Sequence, residues 1–158
     1  MISKSLKAKP FIKWVGGKTQ LIDQIDKQLP VDFDSWAHVT YIEPFIGGGA
    51  MLFFMLQRYP NIERAVINDI NSDLCKCYQA VRDMPEQLID SLRAMERNYQ
   101  SLGTEEERKS FFMKVREHYN EKSMDIVENT TLFIFLNKTC FNGLYRVNKK
   151  GKFNVPFG

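Results

Sequence analysis

The hydrophobic pattern of the first half of the chain predicts short strands joined by helices. Short apolar runs at Val39–Ile42 and Ala65–Ile67 are typical of strands, and the apolar run Ala50–Arg58 between them predicts a buried helix. Further upstream, four apolar residues at helical spacing predict a helix that Pro30 ends: Leu21, Ile22, Ile25 and Leu29. This order of elements indicates an α/β fold.

The second half is dominated by helical patterns, and strands return only at its end. Pro85 suits the first position of a helix, and Thr104 with Glu107 forms a capping box. The patterns over residues 72–82 and 123–137 predict further helices, so 72–137 is a helical region. The last stretch predicts a β-hairpin around Gly151, with strands at Tyr145–Asn148 and Lys152–Val155. We therefore predict two domains, residues 1–71 and 72–158.

The segment Tyr41–Leu52 has the pattern of a nucleotide-binding corner. Glu43 and Pro44 end a strand, three glycines follow at 47–49, and an apolar run opens a helix. Glycine lets a ligand approach the backbone and a helix N-terminus offers N–H groups, although a tight turn without a ligand is the alternative. The dinucleotide fingerprint G-x-G-x-x-G is absent because Leu52 replaces its third glycine. A carboxylate at the strand end favours a ligand with ammonium or hydroxyl groups over a phosphate.

Asp69 stands at the end of the second predicted strand, 26 residues after Glu43. In doubly wound folds an acid about 20 residues beyond the first turn accepts hydrogen bonds from ribose hydroxyls. The alternative is that Asp69 caps the next helix, although Asn71 and Ser72 are also able to do so.

Lys18 and Trp14 lie on either side of a second glycine turn, Gly16-Gly17. Lys18 or Thr19 begins the predicted helix, where the helix dipole disfavours a lysine. Lys18 is therefore either paired with a carboxylate or phosphate or an ordinary surface lysine. Trp14 is either a core residue, which is the commoner environment of tryptophan, or part of a site.

Basic residues are concentrated at the two ends of the chain. Residues 1–18 hold five Lys and residues 129–158 hold four Lys and one Arg, in both cases without an acid, whereas the stretch between them is acidic. This distribution indicates that the ends bind a polyanion. The hairpin region interleaves aromatic residues with Arg and Asn, which are able to stack on bases and read base edges, or its aromatic residues pack on the helices.

The composition argues against several other classes of protein. There is no apolar run of 18 residues and no apolar region in the N-terminal segment, so we expect neither a membrane span nor a secretory signal. Three cysteines and two histidines predict reduced thiols, with no disulfide framework and no metal site. We expect a protein of the cytoplasm.

Four segments in order resemble the Dam-type adenine-N6 DNA methyltransferases. They are KPFIKWVGGK, YIEPFIGGGAMLF, VINDINSDL and FNGLYRVNKKGKFNVPFG, and the resemblance covers essentially the whole chain. It implies a partial Rossmann-like S-adenosylmethionine-dependent methyltransferase sheet plus a helical target-recognition domain with a β-hairpin. It also implies duplex DNA as substrate, GATC as the default target, and a bacterial or phage-infected cell.

The resemblance assigns roles to individual residues. Those that match cofactor-binding positions are Trp14, Lys18, Glu43, Phe45, Gly47, Gly49 and Asp69. Those that match DNA contacts are Lys13, Phe141, Asn142, Leu144, Arg146 and Pro156. Within the second set, Phe141 and Asn142 correspond to residues that probe or fill the space left by the target base pair, and the last three to base-reading positions.

The chain departs from the family in one respect. The family's catalytic motif is Asp-Pro-Pro-Tyr, and neither it nor an Asn or Ser variant occurs in residues 1–158. The motif supplies acceptors for the adenine amino group, so no catalytic residue is assigned here and we expect this chain alone to have little or no activity. The interpretations left open are a piece of a larger enzyme, a DNA-binding and cofactor-binding module without chemistry, and one chain of a split enzyme. An apolar sheet edge beside the Tyr41 strand should be open.

Overall fold

The computed structural model describes residues 7–158, and its contacts divide the chain into two compact units. Unit 1 contains residues 7–11 and Val15–Ile70, and unit 2 contains Ile12–Trp14 and Asn71–Gly158. The division after Ile70 lies one residue before the predicted boundary, and Ile12–Trp14 joins the second unit. Lys4, part of the basic N-terminal end, lies outside the described residues.

Unit 1 is built on a parallel sheet of two strands. Its α-helices and strands are β1 (Val39–Glu43), β2 (Ile62–Ile67), α1 (Ile22–Asp26) and α2 (Ala50–Arg58). The core of the unit packs two methionines of α2, Met51 and Met55, with Phe33, Tyr59 and Ile62. The predicted strands and the helix Ala50–Arg58 are thus present, and β2 begins three residues earlier than expected.

An apolar pair of residues on one face of this sheet is open to solvent. Ile42 pairs in register with Val66, and both side chains are exposed, Ile42 to 64%. Among the described residues no third strand pairs with β1 or β2. Within residues 7–158 the edge of the sheet beside the Tyr41 strand is thus unpaired, as expected.

The predicted helix 18–29 is shorter than expected. A 3₁₀ turn at Lys18–Leu21 precedes α1, and i→i−3 bonds from Gln28 to Ile25 and from Leu29 to Asp26 end it. Pro30 disfavours the helical conformation of the residue before it, which explains the early end. The apolar positions of the pattern pack on the core apart from Leu21, which is exposed.

Unit 2 contains four α-helices in its described residues, and the last of them is the centre of the core. The helices are α3 (Ser72–Asp83), α4 (Pro85–Gln100), α5 (Glu105–Glu121) and α6 (Ile126–Thr139). α6 contacts each of the other three and is buried over most of its length, as an apolar run on all sides requires. Pro85 stands at the start of α4 and the Thr104–Glu107 capping box opens α5, as predicted. No helix in residues 7–158 is long and apolar enough to cross a membrane.

The 141–158 loop, which follows α6, contains less β-structure than predicted. The turn at Gly151 has a positive φ of 71°, but an isolated bridge between Val147 and Phe153 forms around it instead of two strands, and a second isolated bridge joins Phe157 to Cys140. Beyond the first bridge, the carbonyl of Val155 accepts a hydrogen bond from the Arg116 side chain and Pro156 has no N–H, so the ladder stops.

Candidate functional site

The corner loop of unit 1, residues 43–49, is organised around a buried carboxylate. Glu43 is the last residue of β1 and only 5% exposed. The ammonium group of Lys18 lies 3.2 Å from its Oε1 and donates to the carbonyl of Phe45 at 2.7 Å. The Tyr41 hydroxyl donates to Oε2 at 2.9 Å. Lys18 is therefore paired with a carboxylate, as its position in the first turn suggested.

Burial and the neighbouring Glu43 both change the pKa of the Tyr41 hydroxyl. They raise this pKa well above the ordinary value, since removing the proton would place a second negative charge beside a shielded carboxylate. The hydroxyl therefore remains a hydrogen-bond donor at all physiological pH values. Together Tyr41 and Lys18 fix both oxygens of Glu43.

Two glycines and the end of β2 complete the corner loop. Gly47 and Gly49 have positive φ values of 51° and 79°, which side chains rarely adopt, and Gly49 directly precedes α2. The N–H of Gly47 donates to Oδ2 of Asp69 at 3.0 Å. Asp69 thus lies at the same corner as Glu43, although 26 residues separate them in the sequence.

The role of helix cap falls to a different residue. The Asn71 side chain accepts from the N–H groups of Asp73 and Leu74, at 2.9 and 3.1 Å, and so caps α3. The alternative interpretation of Asp69 as the cap is therefore not the one observed.

The corner loop and the residues bonded to it offer the hydrogen-bond acceptors expected for a cationic or hydroxyl-bearing ligand. They combine two carboxylates, those of Glu43 and Asp69, with a backbone that glycine leaves accessible, and Phe45 exposes its ring beside them. Six of the seven predicted cofactor residues therefore lie together. Glu43, Phe45, Gly47 and Gly49 belong to the corner loop, and Lys18 and Asp69 are hydrogen-bonded to it.

Trp14 belongs to unit 2. Its ring centroid lies 5.2 Å from that of Tyr145 and 6.2 Å from that of Phe133, in the aromatic cluster of that unit. Of its two interpretations, the structure therefore supports a packing role, and its predicted contact with a cofactor stays a prediction.

Some side chains of the 141–158 loop are buried against the helices, and others are exposed to solvent. Phe153 and Val155 are buried, and Tyr145 packs on Phe133 and Phe153 with centroid distances of 5.6 and 5.8 Å. These aromatic residues therefore pack on the helices. Phe141, in contrast, is 52% exposed. All five loop residues that match DNA contacts are exposed: Phe141, Asn142, Leu144, Arg146 and Pro156.

Arg146 is oriented across the loop. Its Nε donates to Oδ1 of Asn154 at 2.8 Å, and its Nη2 donates to the Asn154 carbonyl at 3.3 Å. Lys149, Lys150 and Lys152 are also exposed in this loop. Four basic residues of the C-terminal end of the sequence are thus exposed in this loop, which is favourable for contact with a polyanion.

Three polar residues of the helices that hold this loop are absent from the sequence predictions. The Asn120 side chain binds both the N–H and the carbonyl of Phe153, at 2.7 and 3.0 Å. Asp73, buried at the start of α3, accepts from Tyr119, Lys122 and Tyr145. The third is Asn137. The one signal available was that Asn137 interrupts the apolar run TLFIFLN, where a polar residue needs a partner.

Comparisons with known proteins agree on one family. Residues 14–158 match the family described as D12 class N6 adenine-specific DNA methyltransferase. The Type II methyltransferase M.MjaIII of Methanocaldococcus jannaschii is 49% identical over 155 residues, which are 97% of this chain and 53% of that protein.

Two further relatives are more distant. The Type II methyltransferase M1.LlaDCHI of Lactococcus lactis subsp. cremoris is 38% identical, over 95% of this chain and 48% of that protein. A DNA adenine methylase of Vibrio cholerae is 33% identical, over 96% of this chain and 48% of that protein. The chain thus spans about half the length of the curated relatives it matches. Because the family match covers nearly all of its residues, the chain belongs to the D12 class of N6 adenine-specific DNA methyltransferases, which confirms the resemblance found in the sequence.

Proposed function

We propose that the protein containing this chain transfers a methyl group from S-adenosylmethionine to adenine N6 in duplex DNA. The observation that carries the reaction is the family match over residues 14–158. In this proposal unit 1 is part of a Rossmann-like cofactor domain and unit 2 is the target-recognition domain. GATC is the default target, and the cytoplasm, where the DNA lies, is the expected location.

The corner loop and Asp69 fit the cofactor because their carboxylates and accessible backbone match its polar groups. S-adenosylmethionine supplies the methyl group and carries a sulfonium charge, an amino acid group and two ribose hydroxyls. Asp69 is placed to accept from the hydroxyls, because a carboxylate accepts from two vicinal groups at once. Glu43, held by Lys18 and Tyr41, contributes negative charge on the same corner, and Gly47 and Gly49 let the ligand reach the backbone.

The exposed side of the 141–158 loop is proposed to contact DNA. Lys13 would bind phosphate, while Arg146, which is bonded to Asn154 in the structure, would read a guanine edge. Phe141 and Asn142, on the adjoining turn, would occupy the space left when the target adenine leaves the base stack.

A second candidate concerns the chain by itself. Residues 1–158 contain no Asp-Pro-Pro-Tyr motif, so no described residue is assigned as an acceptor for the adenine amino group. We propose that residues outside this chain supply that acceptor, either further along the same protein or on a second chain. The chain alone is then expected to bind DNA and cofactor without transferring the methyl group.

The test compares cofactor binding and methylation in matched variants. Asp69→Ala should weaken S-adenosylmethionine binding by about tenfold to a hundredfold, since it removes hydrogen bonds to a charged group, and should leave duplex affinity unchanged. Asp34→Ala, an exposed carboxylate of unit 1, is the control. Titration calorimetry gives both affinities, and transfer of a labelled methyl group to a GATC duplex reports the reaction of the whole protein.

Three outcomes would each contradict a part of these proposals. Unchanged cofactor affinity in Asp69→Ala would remove the assigned role of the corner loop. No methyl transfer by the whole protein would remove the reaction itself, and robust transfer by the chain alone would show that its acceptor lies within residues 1–158.

A further inference from the structure

Asn137 binds two separate stretches of backbone in unit 2. Its Oδ1 accepts from the N–H of Lys13 at 2.9 Å, and its Nδ2 donates to the carbonyl of Lys13 at 2.9 Å and to that of Gly143 at 3.1 Å. The side chain therefore binds Lys13 as a neighbouring strand would, and at the same time binds the turn at Phe141–Gly143.

Asn137 is a buried polar residue, so these hydrogen bonds are the reason that its amide is tolerated in the core. The side chain is 3% exposed, near the end of α6, and follows an apolar run of the core. An amide removed from water is unfavourable unless its donors and acceptors find partners, and here three of its four sites are filled. The two stretches that it binds are irregular, so their backbone groups need such a partner as well.

The consequence is that Lys13 lies directly on the loop. A Cβ added at Gly143 would lie 2.6 Å from Cδ of Lys13 and 3.2 Å from the carbonyl oxygen of Asn137. Only glycine leaves room for the lysine stem at this position. Lys13 is exposed, and so are Asn142 and Leu144 on either side of Gly143.

We propose that Asn137 is a positioning residue for DNA recognition. It fixes Lys13 and the 141–144 turn relative to each other, so that a phosphate contact by Lys13 sets the register in which the turn meets the bases. Phosphate contacts position a protein on the duplex and base contacts specify the sequence, and Asn137 joins one of each. This inference rests on the proposed function, since it assumes that both stretches contact DNA.

The test is a double-mutant cycle on duplex binding at several salt concentrations. Lys13→Ala should reduce the salt slope of the affinity by about one, the value for one phosphate contact. Asn137→Ala should weaken binding by about tenfold, reduce the slope similarly and lower the preference for GATC over an altered site. Because Asn137 acts through Lys13, the double variant should lose less than the sum of the two single losses.

The matched control is Asn129→Ala. Asn129 is also a buried amide of α6, and its Oδ1 has no hydrogen-bond partner in the structure. Removing it tests the loss of a buried amide from the same helix without touching Lys13 or Gly143. Slope and preference should both equal those of the unaltered protein.

A second variant tests the same role if Asn137→Ala does not fold. Gly143→Ala leaves the buried amide in place and displaces the Lys13 side chain through the added Cβ, so it should show the same loss of slope. Circular dichroism checks the fold of each variant.

The possible outcomes distinguish the positioning role of Asn137 from the proposed function on which it rests. If the unaltered protein binds no duplex even at low salt, the proposed function fails. If it binds with the expected salt dependence but Asn137→Ala and Gly143→Ala keep its slope and its preference, or if the losses simply add, the positioning role is wrong and the proposed function stands.

Discussion

The corner loop of unit 1 and the 141–158 loop of unit 2 differ in how far the side chains that hold them are shielded from water: Lys18 is 35% exposed, whereas Asn137 is 3% exposed. The corner loop joins the ends of β1, β2 and α2, and backbone bonds fix it, such as those from Ile46 to Asn68 and from Asn68 to Glu43, both 2.9 Å. The 141–158 loop has little regular structure. Backbone bonds such as those from Asn148 to Lys152 and from Asn154 to Arg146 form within it. Side chains of the surrounding helices bind further groups of its backbone, above all Asn120 and the buried Asn137.

The difference indicates where each loop is sensitive to mutation. In the corner loop the Lys18 side chain that binds the carbonyl of Phe45 is 35% exposed, so water is able to replace its bonds when it is removed. In the 141–158 loop one buried side chain fixes two or more backbone groups, so a single substitution releases them together. Single changes should therefore damage unit 2 more than unit 1.

The largest expected effect comes from Asp73. Asp73→Ala leaves the Tyr119 hydroxyl, in a side chain that is 0% exposed, without its acceptor and removes the partner of Lys122. Loss of one partner from such a group costs about 3 kcal/mol of unfolding free energy. Urea unfolding followed by circular dichroism measures it. Asp83→Ala, an exposed carboxylate of the same helix, should change little, and equal losses in the two variants would contradict the assignment.

The same carboxylate predicts a pH dependence. Burial alone would raise the pKa of Asp73, but hydrogen bonds from Tyr119 and Lys122 and the charge of Lys122 outweigh it and hold the pKa below its ordinary 3.8. A lowered pKa contributes stability above the unfolded-state value, and that stability is lost as pH falls through the folded-state value. The difference in unfolding free energy between the unaltered chain and Asp73→Asn should therefore be constant from about pH 7 to 5 and shrink near pH 3.

A glycine pair gives the next effect. Gly143 and Gly151 both have positive φ, 64° and 71°, so alanine is strained at either by about 1–2 kcal/mol. Around Gly151 nothing lies within 4 Å of an added Cβ, whereas at Gly143 the Cβ meets Lys13 and the carbonyl of Asn137. Gly143→Ala should therefore lose about 1 kcal/mol more than Gly151→Ala in urea unfolding. Equal losses would show that the packing of Lys13 on Gly143 is loose.

The smallest effect is expected in unit 1. Lys18→Met removes a side chain that is 35% exposed from Glu43, which keeps the hydrogen bond from Tyr41. We expect a loss of about 1 kcal/mol or less of unfolding free energy, since water screens the pair in part. Lys27→Met, an exposed lysine beyond α1, is the control. A loss as large as that of Asp73→Ala would erase the contrast between the two loops.

The features that local chemistry determines were predictable from the sequence. The capping box of α5, the proline at the start of α4 and the acid at the end of β1 each depend on neighbouring residues. The anchors of unit 2 were not predictable, because Asn137 binds a residue 124 positions away and Asp73 binds Tyr119 across 46 positions. Local sequence propensities do not predict hydrogen bonds between residues so far apart in the chain. The two hairpin strands failed to form for the same reason, since distant side chains took their backbone bonds.

The two tryptophans of the chain fall one to each unit. Trp36 packs on Phe33 in the core of unit 1, with ring centroids 5.4 Å apart, and Trp14 packs on Tyr145 of the 141–158 loop. Each unit therefore carries its own intrinsic fluorophore. With Trp36→Phe, ultraviolet emission comes from Trp14 and follows the loop, and with Trp14→Phe it follows the sheet unit, so unlabelled protein reveals which half of the molecule responds when a ligand is added.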